Sequence, residues 1–153
     1  MATPLSDALE KLKAHIQTVA DEIGVREINT YPKAMIEHIN PPVIDLYPLP
    51  ESPLTVKGVG SPLIIQHKFN IRLMFYSQVF TAEMKFEDSY KSLEKIQNYL
   101  LTHLSIDDGW GDIGLSDSDD LEGLFINPGE IFGEGGVYEG GYIDMAVTRF
   151  ENY

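Results

Sequence analysis

The stretch Leu63–Tyr76 (LIIQHKFNIRLMFY) constrains the fold more than any other segment of the chain. Leu63, Ile65, His67, Phe69, Ile71, Leu73 and Phe75 fall on one side of a period-two pattern. Ile64, Gln66, Lys68, Asn70, Arg72, Met74 and Tyr76 fall on the other. Side chains alternate across a strand, so the segment predicts one long β-strand with an apolar face. At ~3.3 Å per residue it spans on the order of 46 Å, whereas strands in globular domains usually run to about three to ten residues. The excess implies a bend, a bulge or a strand end that projects past its own core. A projecting end needs a partner, which points to assembly before catalysis.

The flanking segments supply two helices and further strands. Leu5, Leu9, Leu12, Ile16, Val19 and Ile23 recur at spacings of three and four, predicting a helix from about Pro4 to Ile23. Thr3 can cap it, Pro4 suits the first helical position, and Gly24 supplies a left-handed residue to end it. Val25–Tyr31 has the content of a short strand. Pro32 to Asn40 reads as either a helical turn or a loop. After Pro41-Pro42, Val43–Tyr47 (VIDLY) reads as a strand closed by Pro48 and Pro50. Leu49–Pro62 is expected to be a loop whose Leu54, Val56 and Val59 either tuck under a sheet or meet another subunit.

A second helix is expected from Thr81 to about Leu104, with Met84, Tyr90, Leu93, Ile96, Leu100, Leu101 and Leu104 on its apolar face. Ser105–Asp120 reads as an acidic, glycine-broken loop. Leu121–Asn127 and Gly141–Phe150 can be the last two strands. Pro128–Gly141 between them is too rich in glycine to predict a packed element. The expected architecture is a single α+β domain over 1–153 with loops at 49–62, 105–120 and 128–141. Two amphipathic helices would cover one face of a mainly antiparallel or mixed sheet of about five strands.

Composition narrows the function classes. The chain of 153 residues carries 24 acidic and 11 basic side chains, a net charge of −13. Nucleic-acid binding relies on Lys and Arg neutralising phosphates, so sequence-specific DNA or RNA binding is disfavoured. With no cysteine, disulfides and thiolate metal sites are excluded. No apolar run of about 18 residues predicts a membrane span. The start MATPLSDALEKLK lacks a signal peptide's basic and apolar blocks, so the expected place of synthesis and residence is the cytoplasm.

No catalytic, cofactor or metal motif emerges. Asp107, Asp108, Asp112, Asp117, Asp119 and Asp120 offer hard oxygen ligands to Ca²⁺ or Mg²⁺. The segment Asp117-Ser118-Asp119-Asp120 nevertheless lacks the glycine and the twelfth-position glutamate of an EF-hand, so a solvated loop is the expectation. His15, His38, His67 and His103 form neither HxH nor HExxH, and there is no GxSxG. Gly133-Glu134-Gly135-Gly136 lacks the GK[ST] ending of a phosphate loop. Trp110, Phe132 and Tyr138, all in glycine-rich surroundings, either anchor their segments to the core or contact a neighbour. Leu54, Val56, Val59, Trp110, Phe132 and Tyr138 are therefore the candidate subunit or partner interface, and the chain is expected not to be an enzyme.

The order of parts resembles the tail terminator proteins of long-tailed bacteriophages. The resemblance lies in the N-terminal amphipathic helix running into Val25–Tyr31 and in Pro41-Pro42-Val43-Ile44-Asp45-Leu46-Tyr47-Pro48. It continues in the long strand Gln66–Phe75 feeding helix 81–104, and in Gly135-Gly136-Val137-Tyr138-Glu139-Gly140-Gly141 before a final strand. Tail-completion and head–tail joining proteins are similar as well. The resemblance implies a subunit that closes into a hexameric ring in the virion neck. Its partners would be further copies of itself, the tail tube protein on one side, and a neck or head-completion protein on the other. A small acidic binding or adaptor module is the alternative reading.

Overall fold

A computed structural model describes residues 4–49, 55–59, 64–79, 87–103, 113–115 and 129–152. Helix α1 spans Pro4–Glu22 and is followed by strand β1 (Glu27–Asn29), a 3-10 turn (Lys33–Met35) and β2 (Val43–Pro48). Strands β3 (Thr55–Val59) and β4 (Ile64–Val79) lead to helix α2 (Glu87–His103), and β5 (Ile113–Leu115), β6 (Gly129–Gly133) and β7 (Gly136–Asn152) complete the order. This is an α+β fold with two helices on a mixed sheet. Helix α1 ends where the sequence places its stop, with Gly24 at φ +76° in the left-handed region.

The sheet is built on one antiparallel ribbon. Strands β4 and β7 pair from Ile64↔Asn152 to Val79↔Tyr138. Crossing the sheet, the order is β1-β2-β4-β7-β5. Strands β2 and β3 share the same side of β4, β2 along Ile71–Tyr76 and β3 along Ile64–Lys68. Strand β6 pairs with the first part of β7, and β5 with Val147–Arg149. Among the described strands only β1 and β2 pair in parallel, joined by residues 30–42. A parallel pair cannot be closed by a tight turn, and that requirement sends this connection across a face of the sheet.

The alternation of β4 sorts its side chains onto two faces. Phe69, Ile71, Leu73 and Phe75 join Ile44 and Leu46 of β2 and Ile143, Met145 and Val147 of β7 in the larger core. Leu9, Leu12, Ile16 and Val19 of α1, with Leu93, Ile96 and Leu100 of α2, cover that face. Each such side chain taken out of water contributes roughly 1.5–3 kcal/mol. On the opposite face Val43, Met74, Tyr76 and Tyr138 are covered by Ala34 and Ile39 of the 30–42 connection.

Three expected loops contain strands. Residues 55–59 of the Leu49–Pro62 segment form β3, residues 113–115 of the acidic segment form β5, and the glycine-rich 128–141 segment holds β6 and the start of β7. Backbone pairing needs no side chain, so glycine-rich chain can form a ladder wherever a firm strand offers one. At Gly140 the ladder demands glycine: a Cβ there would run into the Phe75 carbonyl beside the register shift at Tyr76/Gln78. The strand expected at Leu121–Asn127 and the helix start at 81–86 lie outside the described residues.

Candidate functional site

The face away from the helices carries an open groove of about 470 Å³, lined by Pro32, Met35, Tyr47, Pro48, Leu49 and Arg72. Strand register places its polar centre. Tyr47 on β2 lies directly opposite Arg72 on β4, and Arg72 directly opposite Asp144 on β7. Arg72 Nε donates to Asp144 Oδ1 at 2.7 Å and Nη2 donates to Oδ2 at 2.9 Å, a two-pronged charge-assisted pair. The guanidinium carbon also sits 4.1 Å from the centre of the Tyr142 ring. The Asp144 hydrogen bonds raise the Arg72 pKa above its ordinary value. Burial pushes the Tyr47 phenol up, against the opposing pull of Arg72. The floor of the groove is thus a fixed and internally neutralised charge pair under an apolar wall.

The wall is a short strap, residues 31–40, from the connection between β1 and β2. Its backbone turns tightly through Met35 N–H to Pro32 O (3.1 Å) and Ile36 N–H to Lys33 O (3.1 Å). Lys33 reaches back to Glu27 on β1 at 3.0 Å. Ala34 is buried, and its carbonyl accepts from Glu134 N–H in the β6–β7 turn at 2.8 Å. Its N–H donates to Asp45 Oδ2 at 3.0 Å. With Ala34 held inward, Met35 and Ile36 are turned out, 57% and 64% exposed beside a 42% exposed Tyr31. Three large apolar side chains are thus exposed on one short segment, and Met35 among them lines the groove.

The interface candidates read from the sequence do not meet in one place. Leu54 and Trp110 lie outside the described residues. Val56 and Val59 belong to β3, opposite His67 and Ile64 at one end of the ribbon. Phe132 stands on β6 near the other end and is 70% exposed. Tyr138 is corrected from the interface set, because it is 1% exposed and packs edge-on against Tyr76 within its own chain. Period two places Tyr138 beside Ile131 and Phe132 beside Val137, so neighbouring residues of the hairpin meet opposite environments.

Sequence reading passed over Tyr47, Arg72, Tyr142 and Asp144. A signal for Arg72 was present, since the period-two pattern already set it on the face away from the apolar row. Its partner lay in a strand whose register no local pattern supplies. Among the described residues no three His, Asp or Glu side chains converge as metal ligands, and no helix is long and apolar enough to cross a membrane. His15 on α1 has its pKa lowered by burial and by neighbouring His103 of α2, which fits a helix–helix contact. His67 stacks on Phe69 with ring centres 6.2 Å apart. No protein-family model matches the chain, and no curated protein matches it.

Proposed function

We propose that the protein is a structural assembly subunit, a tail terminator of a long-tailed bacteriophage that closes into a hexameric ring on the tail tube and meets the neck on its other side. One observation carries this reading: the β4–β7 ribbon is longer than the helix layer that covers it. Sixteen residues of β4 at ~3.3 Å extend on the order of 53 Å, against roughly 28 Å for the 19 residues of α1 at ~1.5 Å each. Side chains of β4 buried against the helices run from Phe69 to Phe75. At the end where β6 pairs with it, the ribbon leaves Val79 56% exposed, a side chain open to a neighbour. The exposed Tyr31, Met35 and Ile36 and the projecting Phe132 supply apolar contacts of the kind a ring-closing interface buries. Heterologous contacts close only when the rotation fits, which makes the ring a geometric requirement on those surfaces.

The groove supports a second reading, an acidic adaptor that holds one apolar segment of another protein, because its volume lies within the ordinary range for small binding sites. Incubation with purified tail tubes, followed by electron microscopy, separates the two. Selective decoration of tube ends by a ring supports the terminator reading. Bare tube ends together with a persistent monomer overturn it and favour the adaptor.

A further inference from the structure

We propose that the strap over the second face is a proton-coupled latch: Asp45 holds residues 31–40 closed most firmly with a proton bound, and the strap loosens as Asp45 ionises. This inference is independent of which partner the open face meets.

The latch stands first on geometry. Asp45 lies on β2 with its side chain on the strap side and is wholly buried. Its two oxygens join three chain segments, because Asn29 Nδ2 of β1 donates to Oδ1 at 3.0 Å and Ala34 N–H of the strap donates to Oδ2 at 3.0 Å. Around it are Val43, Met74, Tyr76 and Tyr138, an apolar cluster in which neither tyrosine hydroxyl has a hydrogen-bond partner among the described residues. Among the described residues the carboxylate therefore has two donors, where full solvation of a charge would ask for more, and no Lys or Arg of those residues forms an ion pair with it.

The charged and titratable groups facing Asp45 come from every packed element. Glu27 on β1 opposes its ionisation, and Lys33 on the strap favours it. Tyr47 on β2 and Tyr76 on β4 lie within its electrostatic reach. Arg72 and Asp144 satisfy one another across the ribbon, and Tyr138 faces the same cluster from β7. His38, exposed on the strap, approaches Tyr138 at Gly135. Desolvation outweighs the two hydrogen bonds and raises the Asp45 pKa above its ordinary value. The sign follows from linkage. Lifting the strap hydrates Asp45 and returns its pKa toward the ordinary value, so the closed strap binds the proton more tightly than the open one. Closure is favoured below the ordinary carboxylate pKa, and that advantage is lost as pH rises through the raised one.

The consequence reaches the groove, since Pro32 and Met35 of the strap are two of its walls. Loosening the strap changes the shape of the surface offered to a partner while the helix-covered face stays intact. A two-state segment biased by one buried ionisable group is a sufficient switch.

Amide hydrogen exchange from pH 4 to pH 7.5, corrected for intrinsic exchange rates, tests the latch in the full chain. The opening equilibrium read at Ala34 and Ile36 should rise severalfold with pH, while amides of Leu73 and Ile143 keep their protection. Asp45→Asn should flatten the strap's pH profile, and His38→Gln should leave it unchanged. A flat profile in the native chain, loosening on acidification, or the same slope in Asp45→Asn overturns the proposal. Carbon-13 titration of the Asp45 carboxyl in the native chain decides the matter if Asp45→Asn does not fold: a midpoint at or below the ordinary aspartate value contradicts the latch.

Discussion

The two faces of the β4–β7 ribbon are closed by different means. One is covered by amphipathic helices whose apolar stripes match the apolar row of β4. Among the described residues, the other is covered by one strap, pinned through backbone hydrogen bonds to Asp45 and Glu134, with apolar side chains left outside. Helical cover is cooperative and extensive, so it holds the fold. Strap cover is thin and hinges on a few polar contacts, so it can yield locally without unfolding the sheet. The helical face is closed by two apolar stripes, whereas the strap face leaves Tyr31, Met35 and Ile36 exposed.

Neighbouring residues on β4 sample the two faces directly. Leu73→Ala empties a site in the helix-covered core and should cost about 3–4 kcal/mol in urea unfolding. Met74→Ala, one residue on, should cost about 2 kcal/mol, at the low end for such truncations, because the strap can settle into the space. Equal losses would erase the proposed difference between the faces. Gly140→Ala should cost about 2–3 kcal/mol, because its Cβ meets the Phe75 backbone and the ribbon must part near the register shift. A neutral Gly140→Ala would show the ribbon to be looser there than its pairing implies.

Smaller effects refine the picture of the open face. Arg72→Lys keeps the charge and loses the fork on Asp144, with an expected loss of about 1 kcal/mol by the same unfolding assay. The pair is partly exposed, which keeps that figure low. Tyr76→Phe should change stability by less than about 1 kcal/mol, and in the stabilising direction, because it removes a buried hydroxyl that lacks a partner among the described residues. A loss above that size would mean that the hydroxyl is satisfied in solution.

The helical face was legible in the sequence because both of its periods are local. Leu9, Leu12, Ile16 and Val19 mark a helix stripe, and Phe69 to Phe75 mark a strand face, without knowledge of any partner. The reading of the long strand stopped at Tyr76 because alternation fails at the bulge, although the strand runs on to Val79. The strap face was largely illegible. Pro32–Asn40 has no period, and what pins it is a carboxylate in another strand, at a position where VIDLY shows one polar residue among apolar neighbours. The groove was missed for the same reason: Tyr47, Arg72 and Asp144 come together through a register that only the assembled sheet defines. Strand β3 and the β6–β7 hairpin were hidden by proline and glycine, since their pairing is with backbone rather than through a side-chain pattern.

Light scattering on the native chain and on Ile36→Asp, over a wide concentration range and with purified tail tubes present, tests most directly whether the strap face is an assembly surface. The account predicts a sixfold mass for the native chain, alone or on tubes. It predicts a monomer for Ile36→Asp that keeps the far-ultraviolet circular dichroism of the native subunit, because Ile36 is 64% exposed within the single chain. A native chain that stays monomeric throughout, or an Ile36→Asp chain that assembles as the native one does, would contradict it.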